Sequence, residues 1–482
     1  MSADLAAQPA RDTRANCPLC VDAEGALIRT NPLAEAWLSL LRARPVSALL
    51  ALGHLMRGGR RGFTVYVEAR VQFKAAQLPY DALVLEHAHR ARSQGRTIAL
   101  LSTLPAPWAR QIAAYLGCFD TVLAGEAGRN HRAEGRDPVL AAHYGAQTFE
   151  YVGRADSPVW SHAQGGIVVA SDRSGAAAAR RAPTAEVLVR GRADWRAWLR
   201  QIRLHQWVKN LLIFVPLVAS RRIGDPQMAR AAVAGFLAFG CIASASYILN
   251  DLLDLPHDRL HPTKRLRPLA AGVLPIRTAA AAMIALLAVG VSLAATLPVT
   301  FAAVLALYLC GTLAYSFFLR RLAPLDAFTL AGLYTLRVFG GNAATGLPSS
   351  FWLLAFSIFL FLSLAMAKRH AELARSGAAG ESAAHGRGYQ AGDREMVSQL
   401  GVGSGYISVL VLALYLNSPK AAELYRRPDL LWLLCVLLLY WITRLWLVAH
   451  RGELDDDPVV FALRDRCSRL VALAVVVVLL LA

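Results

Sequence analysis

The chain changes character near residue 190. Before that point charged residues are spread among apolar ones, and no apolar run reaches membrane length. From residue 207 onward apolar runs follow one another, near 207–220, 231–249, 278–298, 300–318, 325–343, 350–367, 401–417, 430–449 and 468–482. About 20 apolar residues in a helix span the hydrocarbon layer, so the pattern predicts nine transmembrane helices, several of them short. Between the halves, "SGAAAARRAPTAEVLVRGRADWRAWLRQIRLHQWVKN" turns from small residues into a basic amphipathic stretch. Such a stretch is expected on the cytoplasmic surface ahead of the first span.

Composition agrees. Of 482 residues, 56% are hydrophobic and 17% charged, and the mean hydropathy is +0.39. Those values suit an integral membrane protein better than a soluble enzyme. A formal net charge of +18 suggests nucleic acid at first sight. With the N-terminus inside, however, the loops 255–277, 319–324, 368–395 and 450–470 hold 16 Lys or Arg, and the opposite loops hold 6. This positive-inside bias predicts a multi-pass protein of the inner (plasma) membrane, with the N-terminal domain cytoplasmic and the C-terminus outside. It also leaves no case for a nucleic-acid partner. The first residues lack the apolar core of a signal peptide. Seven Cys are scattered, and "CPLC" at 17–20 has no second pair, so reduced thiols that pack are expected rather than a zinc site.

The densest chemistry is "NDLLDLPHDRLHPTKRLRPLAAG", residues 250–272, at the inner end of the second predicted span. Asn250, Asp251, Asp254 and Asp258 have helical spacing and share a face. Pro256 disturbs the backbone there, so Asp258 is expected to leave the first helix. Carboxylates this close repel unless a cation lies among them, and hard oxygen ligands beside water suit Mg²⁺ bridging to a phosphate. Lys264, Arg265 and Arg267 then supply charge for the remaining phosphate oxygens. Within the spans, Tyr315, Asp326 and Arg337 need a partner or a cavity. Cavity residues and a buried structural ion pair are both open readings. Arg444, between Trp441 and Trp446, reads as a snorkelling side chain, and "DDDPVV" at 455–460 as a helix N-cap.

The NDxxDxxxD and HPxKxxRP pattern resembles the first aspartate-rich motif of the UbiA-type intramembrane prenyltransferases. The resemblance covers about 195–482. It implies nine transmembrane helices and a metal site in which the catalytic Asp251, Asp254 and Asp258, with Asn250, bind Mg²⁺ and through it a diphosphate. The stretches "RLHQWVKNLLIFVPL", "AYSFFLRRLAPLDAFTLAGLYTLRVFGG", "LAMAKRHAEL" and "FALRDRCSRL" look like the subgroup related to decaprenyl-phosphate phosphoribosyltransferase. Aromatic prenyltransferases of the family carry a second aspartate-rich motif where this chain has Lys368 and Arg369. The resemblance therefore implies a phosphorylated soluble donor, phosphoribosyl diphosphate, and a polyprenyl lipid acceptor, as in cell-envelope synthesis. Substrate-binding residues on this reading are Asn250, Lys209, Lys264, Arg267, Tyr315, Arg337, Lys368 and Arg369. Prenyl transfer to an aromatic or other small acceptor is the alternative, and a non-catalytic membrane scaffold the remaining one. Self-association into a homo-oligomer is left open.

The N-terminal half resembles haloacid-dehalogenase-type phosphatases, which implies an α/β, Rossmann-like fold. "CPLCVDAEGALIRTNPL" reads as a strand, a turn and a helix, with Asp22 in the place of the nucleophile. Glu24 stands where a second Asp is usual, Ser102 or Thr103 in "TIALLST" matches the second motif, and "FDTVLAGEAGRNH" lacks the third motif's Lys. In "FEYVGRADSPVW" Arg154 replaces a metal-binding acid, leaving Asp156. The implied site of Asp22, Glu24, Ser102 and Asp156 is vestigial, since an Arg there opposes Mg²⁺. The expected boundaries are 1–14 disordered, 15–182 the degenerate phosphatase-like domain, 183–202 a linker and interfacial segment, and 203–482 the membrane transferase.

Overall fold

The computed structural model describes residues 17–125, 140, 143–146, 148–171, 185–190, 194–378, 388–419, 425, 427–454 and 457–482. The segment 1–14, expected to be disordered, lies outside these residues, as do Asp455, Asp456, most of 119–131 beyond Gly125, Lys420 and Arg426. The chain divides into two compact units, Met1–Gln201 with Ile248–Ala281, and Ile202–Tyr247 with Ala282–Ala482.

The first unit is built on a parallel sheet. Its strands are β1 (Leu19–Asp22), β2 (Ile98–Pro105), β3 (Thr121–Gly125), β4 (Glu150–Arg154), β5 (Gly165–Ser171) and β6 (Ala185–Arg190), in the order β3-β2-β1-β4-β5-β6. Leu19 aligns with Ile98 on one side and Glu150 on the other. Side chains alternate across the pleat: Leu19, Val21, Ile98 and Leu100 enter one apolar core, and Cys20, Ala99, Leu101 and Tyr151 the other. A sheet covered on both faces explains why these strands read as unbroken apolar runs. Helices α1 (Pro32–Ala43), α2 (Pro45–Glu68) and α3 (Ala82–Ser93) lie between β1 and β2, and α4 (Ala106–Leu116) between β2 and β3. Strand order runs outward in both directions from β1, so the carboxyl ends of β1, β2 and β4 frame a crevice. Asp22 ends β1 there.

One segment departs from the sequence reading. Residues 185–190, taken as linker, form β6 and pair with β5 from Gly166↔Ala185 to Ser171↔Arg190. The small-residue stretch ahead of them masks a Val-Leu-Val centre with clear strand preference. The first unit also takes in α5 (Trp195–Gln201) and the aspartate-rich segment.

The remaining helices are α6 (Leu204–Ala219), α7 (Pro226–Leu253), α8 (Leu255–Leu260), α9 (Ile276–Ala295), α10 (Val299–Phe317), α11 (Leu325–Thr345), α12 (Phe351–Ala378), α13 (Arg394–Leu416), α14 (Trp432–His450), α15 (Pro458–Arg464) and α16 (Arg466–Leu481). Six of them, α7, α9, α10, α12, α13 and α14, are long and apolar enough to cross a membrane. The predicted spans at 207–220, 325–343 and 468–482 are also helical, as α6, α11 and α16. The first and last are short, and α11 carries Asp326 and Arg337. Small residues set the spacing of helices here. A Cβ on Gly341 of α11 would stand 2.1 Å from the Ile213 carbonyl oxygen, and one on Gly401 of α13 2.2 Å from the Trp446 ring.

Candidate functional site: an aspartate cluster and buried cation networks

Helix α7 stops at Leu253, because Asp254 (φ −96°, ψ 4°) interrupts the helical backbone. Helix α8 restarts with Pro256 in its first turn, where a missing N–H costs nothing. Asp251 and Asp258 therefore stand on separate helices, as the proline predicted. The break turns both carboxylates, each 4% exposed, toward one guanidinium nitrogen. Arg267 Nη1 lies 3.2 Å from Asp251 Oδ1 and 2.6 Å from Asp258 Oδ2. Gln201 donates to Asp251 Oδ2 at 2.8 Å. Burial pushes the Asp258 carboxyl above the ordinary range; Arg267 opposes the rise and Asp251 adds to it. Asp254 meets a different guanidinium, its Oδ1 lying 2.6 Å from Nη1 of Arg42 on α1. Asn250 is half-buried on α7, and Lys264 is exposed in a 3₁₀ turn.

Among the described residues, no three His, Cys, Asp or Glu side chains gather closely enough to hold a metal ion. Two of the expected ligands nonetheless already share a single cationic nitrogen, and their oxygens are the hard donors that Mg²⁺ accepts alongside water. The donor chemistry thus fits a divalent cation between Asp251 and Asp258.

The second unit holds two polar networks of its own. In the first, Lys209 of α6 donates to Asp457, which caps α15 by accepting from the Val459 N–H at 3.1 Å. Burial works against the Asp457 carboxylate, yet Lys209 and Lys368 outweigh it and hold its pKa below the usual range. Arg337 donates to Asn210 Oδ1 at 2.9 Å, the Leu333 carbonyl at 2.7 Å and the Tyr308 hydroxyl at 2.8 Å. Lys368 is half-buried and finds no hydrogen bond or ion pair among the described residues. In the second network Arg369, 1% exposed, meets Asp326 and Glu372 at 2.5 Å and donates to the Tyr315 hydroxyl at 2.9 Å. Tyr389 closes it by donating to Asp326 at 2.6 Å. Tyr315, Asp326 and Arg337 thus answer the demand for partners inside the bundle through buried hydrogen bonds and ion pairs.

Two readings change. Arg444 does not snorkel; it makes a two-bonded pair with Asp465 at 2.6 and 3.0 Å, because Asp465 caps α16 one helix away. The acid run at 455–460 does more than cap, since Asp457 also receives Lys209. Its signal in sequence was an Asp before a Pro and an apolar run. Tyr389, Glu372, Arg42 and Gln201 carried no such signal.

At the crevice of the sheet, Glu24 Oε1 accepts from the Ser102 hydroxyl at 2.8 Å and from the Thr103 and Leu104 N–H groups at 2.8 and 3.0 Å. Asp22 accepts from the Tyr151 hydroxyl at 2.9 Å. Arg154 pairs with Asp156 at 3.0 and 3.1 Å, with both side chains well exposed. A carboxylate of the chain itself thus sits in the anion cradle at the end of β2.

Residues 211–464 match the model of the UbiA prenyltransferase family. A Sinorhizobium fredii protein named "Uncharacterized protein y4nM" is 36% identical over 460 residues, covering 94% of this chain and 88% of that one. Nodulation protein NoeC of Azorhizobium caulinodans is 36% identical over 266 residues, 55% of this chain and 86% of its own. Decaprenyl-phosphate phosphoribosyltransferase of Mycobacterium tuberculosis is 37% identical over 188 residues, 38% of this chain and 62% of its own. Among solved structures, a UbiA homolog from Archaeoglobus fulgidus bound to GPP and Mg²⁺ aligns with 59% of this chain and 99% of that one, at 18% identity and TM-score 0.46. With the family model spanning more than half its length, and a relative matched almost end to end, this chain belongs to the UbiA prenyltransferase family.

Proposed function

We propose that this membrane prenyltransferase-family protein moves phosphoribosyl from phosphoribosyl diphosphate to a polyprenyl phosphate in a Mg²⁺-dependent reaction. The observation that carries the metal site is the convergence of Asp251 and Asp258 on one cationic nitrogen. The phosphoribosyl reading draws on the likeness to the mycobacterial decaprenyl-phosphate enzyme and on Lys368 and Arg369 where a second acid motif would stand.

Asp251 and Asp258, with Asp254 beside them, would hold the metal. When bound, Mg²⁺ supplies charge neutralisation on the departing diphosphate. Arg267, displaced from the carboxylates, and Lys264 meet phosphate oxygens, which orients the donor and stabilises charge as it develops. Lys368, half-buried in the second unit, is a further cation suited to phosphate. Lys209, Arg337, Arg369 and Tyr315 act by bracing the helices of the second unit, because their polar atoms are engaged with protein partners. The acceptor oxygen is anionic already, so the reaction needs no strong general base. The nine-span, N-inside arrangement in the inner membrane is part of the same reading and follows the charge bias of the loops. The sheet-bearing domain is read as haloacid-dehalogenase-like and catalytically silent, supported by Glu24 in its anion cradle.

The test is a transfer assay on purified protein with Mg²⁺ and long-chain polyprenyl phosphate. Radiolabel from phosphoribosyl diphosphate passing into the lipid phase supports the proposal. Turnover only with a polyprenyl diphosphate and an aromatic acceptor overturns it in favour of prenyl transfer.

A further inference from the structure

The aspartate segment is anchored by α1. Glu35 and Arg42 are seven residues apart on that helix, two turns, and so lie on one face. Arg259 makes a two-bonded pair with Glu35, at 2.6 and 2.7 Å, and also donates to the carbonyls of Gln77 at 2.7 Å and Ala270 at 2.8 Å. Its side chain is 8% exposed and that of Glu35 7%. Gly272 (φ +69°) lies so near the same region that a Cβ there would stand 2.7 Å from the Arg29 Cβ. Two turns along α1 from Glu35, Arg42 Nη1 reaches Asp254 Oδ1 at 2.6 Å and His257 Nδ1 at 3.0 Å. The three carboxylates within eight residues each meet a guanidinium group, Arg267 on Asp251 and Asp258, and Arg42 on Asp254. Arg267 comes from the segment itself, and Arg42 from the sheet-bearing domain, more than 150 residues ahead of the first apolar helix.

We infer that Arg42 is a positioning residue of the metal site, a resident counter-ion of Asp254, and that it gives way to the divalent cation while Glu35–Arg259 keeps the segment in place. This rests on the metal reading of the aspartates. The sheet-bearing domain then has a task in the transferase independent of any phosphatase chemistry. It presets the position of the aspartates and lowers the charge they carry before metal arrives. A guanidinium fixed to a carboxylate competes with a cation for the same oxygen, so removal of Arg42 should tighten metal binding. Loosening the Glu35 anchor should weaken it, since the ligands then have to be ordered at the moment of binding.

The experiment is Mn²⁺ titration of the purified full-length protein, followed by electron paramagnetic resonance, with no donor or acceptor present. Arg42→Gln is expected to bind Mn²⁺ roughly two- to fivefold more tightly than wild type, the worth of a partly exposed ion pair. Arg42→Lys should return to near the wild-type affinity, and Glu35→Gln should bind more weakly. A purely structural Arg42 would leave affinity unchanged or lower it in Arg42→Gln, and either result overturns the inference. Absence of Mn²⁺ binding by wild type would overturn it too, by removing the metal reading. Wild-type binding that Arg42→Gln leaves unaltered removes this inference alone.

Discussion

Arg259 and Glu35, 224 residues apart, close a two-bonded ion pair almost sealed from water, with N–O distances of 2.6 and 2.7 Å. Removing one partner leaves a buried charge uncompensated, which costs about 3–5 kcal/mol. Glu35→Met and Arg259→Met should each therefore lower the thermal midpoint of the full-length protein clearly. The double variant Glu35→Met with Arg259→Met should lose less than either single change, because it leaves no charge behind. Thermal unfolding of the four proteins checks this.

Lys209 and Asp457 make a second test of the same physics. Lys209→Met should destabilise by about 3–5 kcal/mol, as the buried Asp457 loses its bonded cation. Lys368→Met should cost less stability than Lys209→Met, since Lys368 has no bonded partner among the described residues and supports the Asp457 carboxylate only through space, yet reduce transfer tenfold or more if it meets donor phosphate. Unfolding curves and initial rates, measured together, separate the two lysines.

Asp457 also sets a pH dependence. Its folded pKa lies below the ordinary value, so its contribution is complete above about pH 3.9, the ordinary Asp pKa. It is lost as pH falls further, through the folded value. Wild-type stability should thus fall on acidification below about pH 4. Asp457→Asn should start lower at pH 7 and lack that portion of the acid loss. An identical acid profile in the two proteins would contradict the assignment.

In the sheet-bearing domain, Glu24→Ala strips four donors, the Ser102 and Thr103 hydroxyls and the Thr103 and Leu104 N–H groups, of this acceptor, and each buried donor left unmade costs about 1–3 kcal/mol. Added inorganic phosphate should restore part of that loss in the variant and do nothing for wild type. Thermal unfolding with and without phosphate shows whether it does.

How much of this was legible in the sequence depends on the separation of the parts. The aspartates could be read because helical spacing and Pro256 act within nine residues. The strand at 98–105 and the turn after Asp22 could be read for the same local reason. Arg42 on Asp254 could not, because nothing near either residue names a partner more than 200 positions away. The capping role of Asp457 was local and visible, whereas its pairing with Lys209 depends on a contact between distant helices. Arg444 was misread because its partner, Asp465, caps α16, beyond the intervening α15. Three of the nine apolar runs fall short of clear spanning helices because two are brief and one bears the charges of a buried network.

The central claim is that Asp251 and Asp258 serve a divalent cation that the transfer requires. The most direct measurement is the rate of label transfer from phosphoribosyl diphosphate into polyprenyl phosphate, after metal removal by chelation and again after graded return of Mg²⁺. Wild type should lose transfer and regain it with Mg²⁺, while folded Asp251→Asn and Asp258→Asn proteins regain little or none at any concentration. Transfer that survives chelation, or asparagine variants that recover fully, would contradict the account.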